Sequence, residues 1–480
     1  MAVFAVDEGP IAKLSDLTGV PEAGLRFLLS VLFGYPLALI QRNFIHGRSM
    51  TLHHVFFITC GLCLSYFNYG VELYHFLISI LVNYSIITIV GGTSVSVFLA
   101  FLFNMGYLIT AYIFTATDTY DITWTTPQCV LTLRMIGLVF DVYDGSKPAE
   151  KLSADQKTTA LNQKPTILEI SAYAFFYGGF FAGPQFPLRR YLDMCSGVLT
   201  DGEKGETPNS IRPAVNRFIL GVIYCGVTVV LVPMIPNSYL YSDEFGQIPY
   251  LKRMLVIAIW GHLACSKYMP VWLFAEGSCI LAGLAYNGKD KDNKAKWDAC
   301  RNVDLYVYET TPTFKGAIQS FNVNTNQWVL RYVYKRLRFL GNKLISQAAV
   351  LVFLAMWHGL YIGYYICFML EAFITNVEVQ MIDTANMTGL SKLYENPILK
   401  VPIYIVCKLW QLTFMGYPLM GFMVLTWERT YKAYSAIYWS GHIFYCFAFP
   451  ALYTFVLKPV FGKRKKTDKE GTPETKGKTD

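Results

Sequence analysis

The chain has 480 residues, 54% of them hydrophobic and 15% charged, with 33 tyrosines and 34 phenylalanines. An ordinary globular chain carries roughly 25% charged residues. At a mean hydropathy of +0.35, disordered, collagen-like and acidic-tail classes are excluded, and the apolar surface exceeds what one water-soluble core can hide. The net charge of +8 is concentrated locally, so no nucleic-acid partner is expected, and the composition points to a polytopic membrane protein.

The N-terminal stretch before Leu25 has no basic start followed by an apolar core. A cleaved signal is therefore not expected, and targeting falls to an uncleaved first span. A bilayer-spanning helix needs about 20 mainly apolar residues. Candidate spans run near 25–40, 52–70, 75–91, 95–116, 127–143, 167–187, 215–235, 254–286, 344–371, 401–425 and 436–457. Arg134 and Asp141 make 127–143 marginal, and 254–286 is long enough for a hairpin or a tilted helix. Nine to twelve crossings are expected. Cys60 and Cys63 have zinc-like spacing near His53 and His54, but no second pair stands at metal-ligand distance. The eleven cysteines are expected to be buried, inert thiols, with no metal and no other cofactor.

Residues 144–166 and 188–214 are rich in Gly, Pro, Lys and Asp and are expected to be surface loops. Segment 287–343 carries eleven basic against five acidic residues, which places it on the cytosolic side. Loop 372–400, with Glu378, Asp383, Glu395 and the sequon Asn386-Met-Thr388, suits the lumenal side. Three full crossings after 343 would then leave the C-terminus in the lumen. The tail 458–480 argues otherwise: it has eight basic and four acidic residues, as a cytosolic tail beside a membrane would. Lys476 and Lys478 near its end resemble a dilysine retrieval signal of the endoplasmic reticulum. One of the last three apolar segments is therefore expected to be re-entrant or broken, with Gly416-Tyr-Pro418 and Phe449-Pro450 as break points. Residues 1–457 are expected to form one transmembrane catalytic domain, and 458–480 its cytosolic tail.

Polar groups at membrane depth are costly and by default suggest function. His262, His358 and His442 all lie in apolar stretches, and position does not separate them. The plain explanation for each is a bond to a neighbouring helix. His358 has a distinctive neighbourhood, Trp357-His-Gly359 followed by Gly363-Tyr364, whose two glycines would share a helix face and leave room beside the imidazole. Upstream stand Asn322, Asn324 and Asn326, poor helix material whose plain explanation is a capped loop. The basic run RYVYKRLRFLGNK follows directly, and anionic lipid is its plain partner.

WHGLYIGY (Trp357–Tyr364) resembles the histidine signature of the membrane-bound O-acyltransferases. Ser320–Lys343, Tyr177–Phe186, Phe274–Gly288 and Ala295–Val303 resemble blocks of the lysophospholipid acyltransferase branch of that family. The likeness covers most of 170–371, and more loosely the whole chain. It implies an all-α fold of about eleven transmembrane helices around a buried reaction chamber. It also implies acyl-CoA entering from the cytosol as co-substrate and a lysophospholipid entering from the membrane. The catalytic His and Asn it implies match His358 and Asn322; Asn324 and Asn326 match less well. Leu360-Tyr-Ile362 departs from branches that carry a proline before the second glycine, which loosens inference about substrate choice.

These residue types suit the chemistry. A glycerol hydroxyl needs a base to attack a thioester at neutral pH, and a positioned imidazole supplies about 10²–10⁴ in rate. An apolar setting favours the neutral ring. An amide donor can hold the oxyanion, worth about 10²–10³, or orient the imidazole or hydroxyl. Cys367, nine residues beyond His358, would lie about 13 Å along a shared helix, so direct transfer without an acyl-enzyme is the simpler expectation. Lys335, Arg336, Arg338 and Lys343 are expected to meet the CoA phosphates; Trp357, Tyr361, Tyr364 and Tyr365 are candidates to wall the chamber, although such aromatics are more often simply packed helix surface. The acceptor is expected to be lysophosphatidylcholine first, with ethanolamine and serine forms, and the donor chain polyunsaturated. Alternatives are acylation of a sterol, a diacylglycerol or a protein on the same fold, or a transporter, for which neither charge pairs nor inverted repeats are evident. The oligomeric state is left open, a homodimer being one option.

Overall fold

The computed structural model describes residues 9–117, 121–200 and 209–462. The basic tail from 463, with Lys476 and Lys478, lies outside the described residues. The main helices in chain order are α1 (Pro10–Thr18), α2 (Glu22–Leu32), α3 (Gly34–Ile40), α4 (Met50–Tyr69), α5 (Tyr74–Ile89), α6 (Ser94–Thr115), α7 (Thr125–Gly145), α8 (Ile167–Ala174), α9 (Leu188–Cys195), α10 (Ile211–Leu231), α11 (Tyr250–Ser266), α12 (Met269–Leu281), α13 (Val323–Val329), α14 (Lys343–His358), α15 (Ile362–Thr388), α16 (Pro397–Val424), α17 (Trp427–Ser435) and α18 (Ser440–Phe461). Among the described residues the only β pairing is two isolated bridges, Lys289 with Ala295 and Val303 with Phe321.

Eight helical stretches among the described residues are long and apolar enough to cross a bilayer: Glu22–Ile45, Met50–Ile89, Ser94–Thr115, Ile211–Tyr241, Tyr250–Leu281, Ile362–Thr388, Pro397–Val424 and Ser440–Phe461. Met50–Ile89 is two helices joined by one tight turn at Gly70–Leu73. On α10 only Ala214 and Gly221 are buried, and Val215, Ile219, Val222 and Ile223 are exposed, as a lipid-facing helix requires.

The chain forms two compact units. The first is Met1–Val230, Ser266–Asp304 and Phe321–Leu360; the second is Leu231–Cys265, Leu305–Ser320 and Tyr361–Asp480. The first is built on α7, which is buried along nearly its whole length. The expected span at 167–187 is not one helix. α8 has eight residues, and the chain from Phe175 to Pro187 then runs as buried, irregular backbone. Such backbone must find partners for its carbonyls, and Arg134 of α7 supplies them. Its guanidinium donates to the carbonyls of Tyr173, Ala174, Gly179 and Pro184 at 3.2, 3.3, 2.6 and 3.1 Å and lies over the Phe186 ring. A Cβ on Gly179 would stand 2.2 Å from that guanidinium, so the close approach requires glycine.

The second unit is held by glycine-to-glycine crossings. A Cβ on Gly261 of α11 would sit 2.3 Å from the Cα of Gly416 in α16, and one on Gly363 of α15 would sit 2.0 Å from the carbonyl oxygen of Gly421. Small residues let membrane helices approach this closely. Three expectations change here. α16 runs unbroken through Gly416-Tyr-Pro418, and the chain stays helical through Phe449-Pro450. The interruption in the last apolar segments falls instead at 359–361, between α14 and α15. Segment 372–400 is not an open loop, because α15 continues to Thr388 and carries the sequon in its last turn. Glu378 within it accepts the N–H groups of Phe314 and Lys315 at 2.6 and 2.9 Å. It thus meets the basic segment 287–343 that was expected across the bilayer.

Candidate active site

His358 is the last residue of α14. It does not stand mid-helix, and Gly359 and Gly363 do not share a helix face: Gly359, at φ 142°, ends α14 and Gly363 opens α15. The end of α14 is braced from two sides. The Trp357 indole N–H donates to the Cys129 carbonyl of α7 at 2.8 Å, and the Trp357 carbonyl accepts the Tyr112 hydroxyl of α6 at 2.8 Å. Trp357 is buried and its ring stands 4.6 Å from the imidazole. Its indole nitrogen is spent on the fold, so it braces the end of α14 at His358.

Asn322 stands at the opening of α13, with φ 51° and ψ 44°. Asparagine is among the few residues besides glycine that adopt this left-handed region readily. The three asparagines have different fates. Asn324 is buried, and its carboxamide donates to the Arg301 carbonyl at 2.8 Å. The Asn326 carboxamide donates to the Phe321 carbonyl at 3.0 Å. Both hold the turn together, as a capped loop would. The half-buried carboxamide of Asn322 makes no hydrogen bond among the described residues.

A helical hairpin explains the 36-residue spacing between Asn322 and His358. From Val323 the chain stays helical to Leu340, turns at Gly341 (φ 67°) and returns along α14. Near the turn, the Ser346 hydroxyl donates to the Leu337 carbonyl at 3.3 Å. Further out, Trp328 stacks on Phe353 with centroids 5.7 Å apart and planes at 18°. Both pairs sit almost symmetrically about Gly341, and so do Asn322 and His358. The hairpin therefore brings both residues to its open end.

α7 is the platform for the hairpin. Gly137 leaves space for Trp328, whose indole nitrogen a Cβ would approach to 2.9 Å. Asp141 accepts the Tyr332 hydroxyl at 2.9 Å. Asp144 accepts the Arg336 fork at 2.8 and 2.5 Å, and Arg336 also lies over the Phe140 ring. Spacings of four and three put Gly137, Asp141 and Asp144 on one helical face. These residues went unassigned in the sequence, although the charges of Arg134 and Asp141 inside an apolar stretch were the available signal.

The four cations expected at the CoA phosphates divide. Arg336 is committed to Asp144, so its fork is not open to phosphate. The Lys335 ammonium hydrogen-bonds Asp155 and holds that carboxyl below the usual carboxylate range. Arg338 and Lys343 are exposed on either side of the Gly341 turn, without an ion-pair partner among the described residues. Tyr361 and Tyr364 belong to the second unit, where Tyr364 is buried against Phe422 with centroids 4.7 Å apart. His262 and His442, weighed beside His358 in the sequence, have structural partners there. His262 meets the Glu309 carboxylate at 3.4 Å and stacks on Tyr308; the ring of His442 bonds the Tyr417 hydroxyl at 2.8 Å.

His53 and His54 are engaged by the Ser49 carbonyl and the Tyr191 hydroxyl, at 3.1 and 2.8 Å. Among the described residues no group of three or more His, Cys, Asp or Glu side chains could hold a metal. None of the eleven cysteines forms a disulfide, and Cys63 and Cys407 are exposed where buried thiols are the default.

The membrane-bound O-acyltransferase family model matches residues 109–426, which contain the hairpin, its platform and both candidate residues. The chain is 42% identical over 434 residues to lysophospholipid acyltransferase 5 of Homo sapiens, covering 90% of this chain and 89% of that protein. It is 40% identical over 454 residues to the protein of that name in Drosophila melanogaster, covering 92% and 90%. The Caenorhabditis elegans protein of the same name is 35% identical over 469 residues, covering 98% and 99%. The chain is a multi-pass, all-α membrane protein and belongs to the membrane-bound O-acyltransferase family.

Proposed function

We propose that this protein is an acyl-CoA:lysophospholipid O-acyltransferase of phospholipid remodelling, with His358 and Asn322 at its reaction centre. What supports the reading is the Gly341 hairpin, which has a braced histidine at the end of one arm and, at the start of the other, a carboxamide that makes no hydrogen bond among the described residues. The names and end-to-end coverage of the relatives support a lysophospholipid as acceptor.

In this mechanism the free glycerol hydroxyl attacks the thioester carbonyl as His358 takes its proton. An amide can serve both the resulting oxyanion and the imidazole. Asn322 offers N–H donors to the first and a carbonyl acceptor to the second. The C–S bond then breaks, and the CoA thiolate takes the proton from the imidazolium. The products are the diacyl phospholipid and free CoA, and the proton balance closes on His358 alone. Arg338 and Lys343 are the cations available to the CoA phosphates. Lysophosphatidylcholine is the leading acceptor, with ethanolamine and serine forms beside it, and the donor chain is polyunsaturated. The membrane is that of the endoplasmic reticulum, with the C-terminal tail in the cytosol, a placement supported by Lys476 and Lys478.

The test uses microsomes carrying the wild type or His358→Ala, given labelled acyl-CoA and lysolipids of the three headgroups. Label should enter the diacyl product only with the wild type, most with the choline form. Equal labelling in both would refute the assignment.

A further inference from the structure

An asparagine that opens a helix ordinarily spends its own side chain on that helix. It accepts the N–H of the second or third residue, one of the donors that has no partner inside the first turn. For α13 those donors are the N–H groups of Asn324 and Thr325. Asn322 does not serve them: it has left-handed backbone in place of the extended backbone of a capping residue, and its side chain caps nothing. Another residue has taken over the task. Asn302, 3% exposed, accepts the Asn324 N–H on its side-chain oxygen at 3.1 Å and the Val323 N–H on its carbonyl at 2.9 Å. One residue thus satisfies two donors of the first turn. The neighbouring Val303–Phe321 bridge and the bond from Asn324 to the Arg301 carbonyl align the two strips.

We infer that Asn302 is a positioning residue for the reaction: by capping α13 from a separate strip of chain, it frees the Asn322 carboxamide for the substrate. This rests on the reading of Asn322 as a reaction-centre residue. Without the Asn302 side chain, the Asn324 N–H is left unpaired in a buried place, which is costly. The carboxamide best placed by sequence to relieve it is that of Asn322, which must leave the left-handed region to do so. Either response moves Asn322, and a misplacement on the order of 1 Å costs about 10²-fold in turnover.

The experiment compares full-length wild type, Asn302→Ala, Asn302→Asp, Asn322→Ala and the Asn302→Ala/Asn322→Ala double variant in detergent. Acyl transfer to lysophosphatidylcholine is measured per correctly folded enzyme, quantified by size-exclusion chromatography. Asn302→Ala should lower kcat about 10²-fold with little change in KM for acyl-CoA. Asn302→Asp, which keeps the acceptor oxygen, should recover most of that loss. In the Asn322→Ala background, Asn302→Ala should cost nothing more. If Asn302→Ala does not accumulate, Asn302→Ser, whose hydroxyl stops short of the Asn324 N–H, carries the same expectation. Wild-type turnover in Asn302→Ala, failure of Asn302→Asp to rescue, or multiplicative losses in the double variant would overturn the inference while leaving the role of Asn322 standing. Full activity of Asn322→Ala would overturn that role, and the inference with it.

Discussion

Replacing Arg336 by alanine separates two roles for one guanidinium. If it binds CoA phosphate, the change raises KM for acyl-CoA and leaves the fold alone. If it is a strut, it strands the Asp144 carboxylate. That side chain is 0% exposed and Arg336 16%. Breaking a buried pair by removing one partner costs about 3–5 kcal/mol. Here Lys147 at 3.9 Å and the Gln156 amide at 3.0 Å remain near the carboxylate, so about 2–4 kcal/mol is expected. At about 2 °C per kcal/mol for a long chain, the melting temperature should fall by about 4–8 °C. Fluorescence-detected size-exclusion chromatography after heating reads this directly. KM for acyl-CoA of the surviving enzyme should stay within about twofold. Asn in place of Asp144 removes the stranded charge, so Arg336→Ala/Asp144→Asn should regain most of the lost stability. An unchanged melting temperature together with a raised KM would refute the strut.

The other predictions concern the remaining cations, the brace and the irregular segment. Arg338→Ala/Lys343→Ala should raise KM for acyl-CoA with kcat nearly unchanged, more at low salt than at high, because exposed charges are screened; steady-state kinetics at two ionic strengths checks it. Trp357→Phe keeps an aromatic ring but loses the bond to the Cys129 carbonyl and part of the buried indole, so it should lower kcat about tenfold or more while costing about 1–3 kcal/mol of stability. Gly179→Ala drives a Cβ to 2.2 Å from the Arg134 guanidinium and should cost at least about 1–3 kcal/mol, with folded yield falling. Gly106→Ala, in open space on α6, should leave the yield unchanged or raise it.

The hairpin and the helices were legible to different degrees, for physical reasons. Apolar runs revealed most of the spanning helices because lipid demands them. The same rule left 127–143 marginal, because Arg134, Asp141 and Asp144 lower the apolarity of α7, which is buried in protein and whose charges bind other segments. Residues 344–371 looked like one span because apolarity continues across 359–361; only the backbone at Gly359 shows the break. His358 and Asn322 were accessible through resemblance, but the reason for their spacing required the turn at Gly341. Arg336 looked like a phosphate ligand because its carboxylate partner lies 192 residues away in sequence. Asn302 lies in the Ala295–Val303 stretch that resembles the family, but nothing marks it as a cap, since a cap supplied from another strip of chain leaves no local pattern.

The proposed reaction requires His358 and neither His262 nor His442. Single alanine substitutions at His262, His358 and His442, assayed per folded enzyme with labelled acyl-CoA and lysophosphatidylcholine, test it most directly. Transfer should fall by about 10²-fold or more for His358→Ala alone, with His262→Ala and His442→Ala retaining most of the wild-type rate. Substantial turnover in His358→Ala, or equal loss in all three, would contradict it.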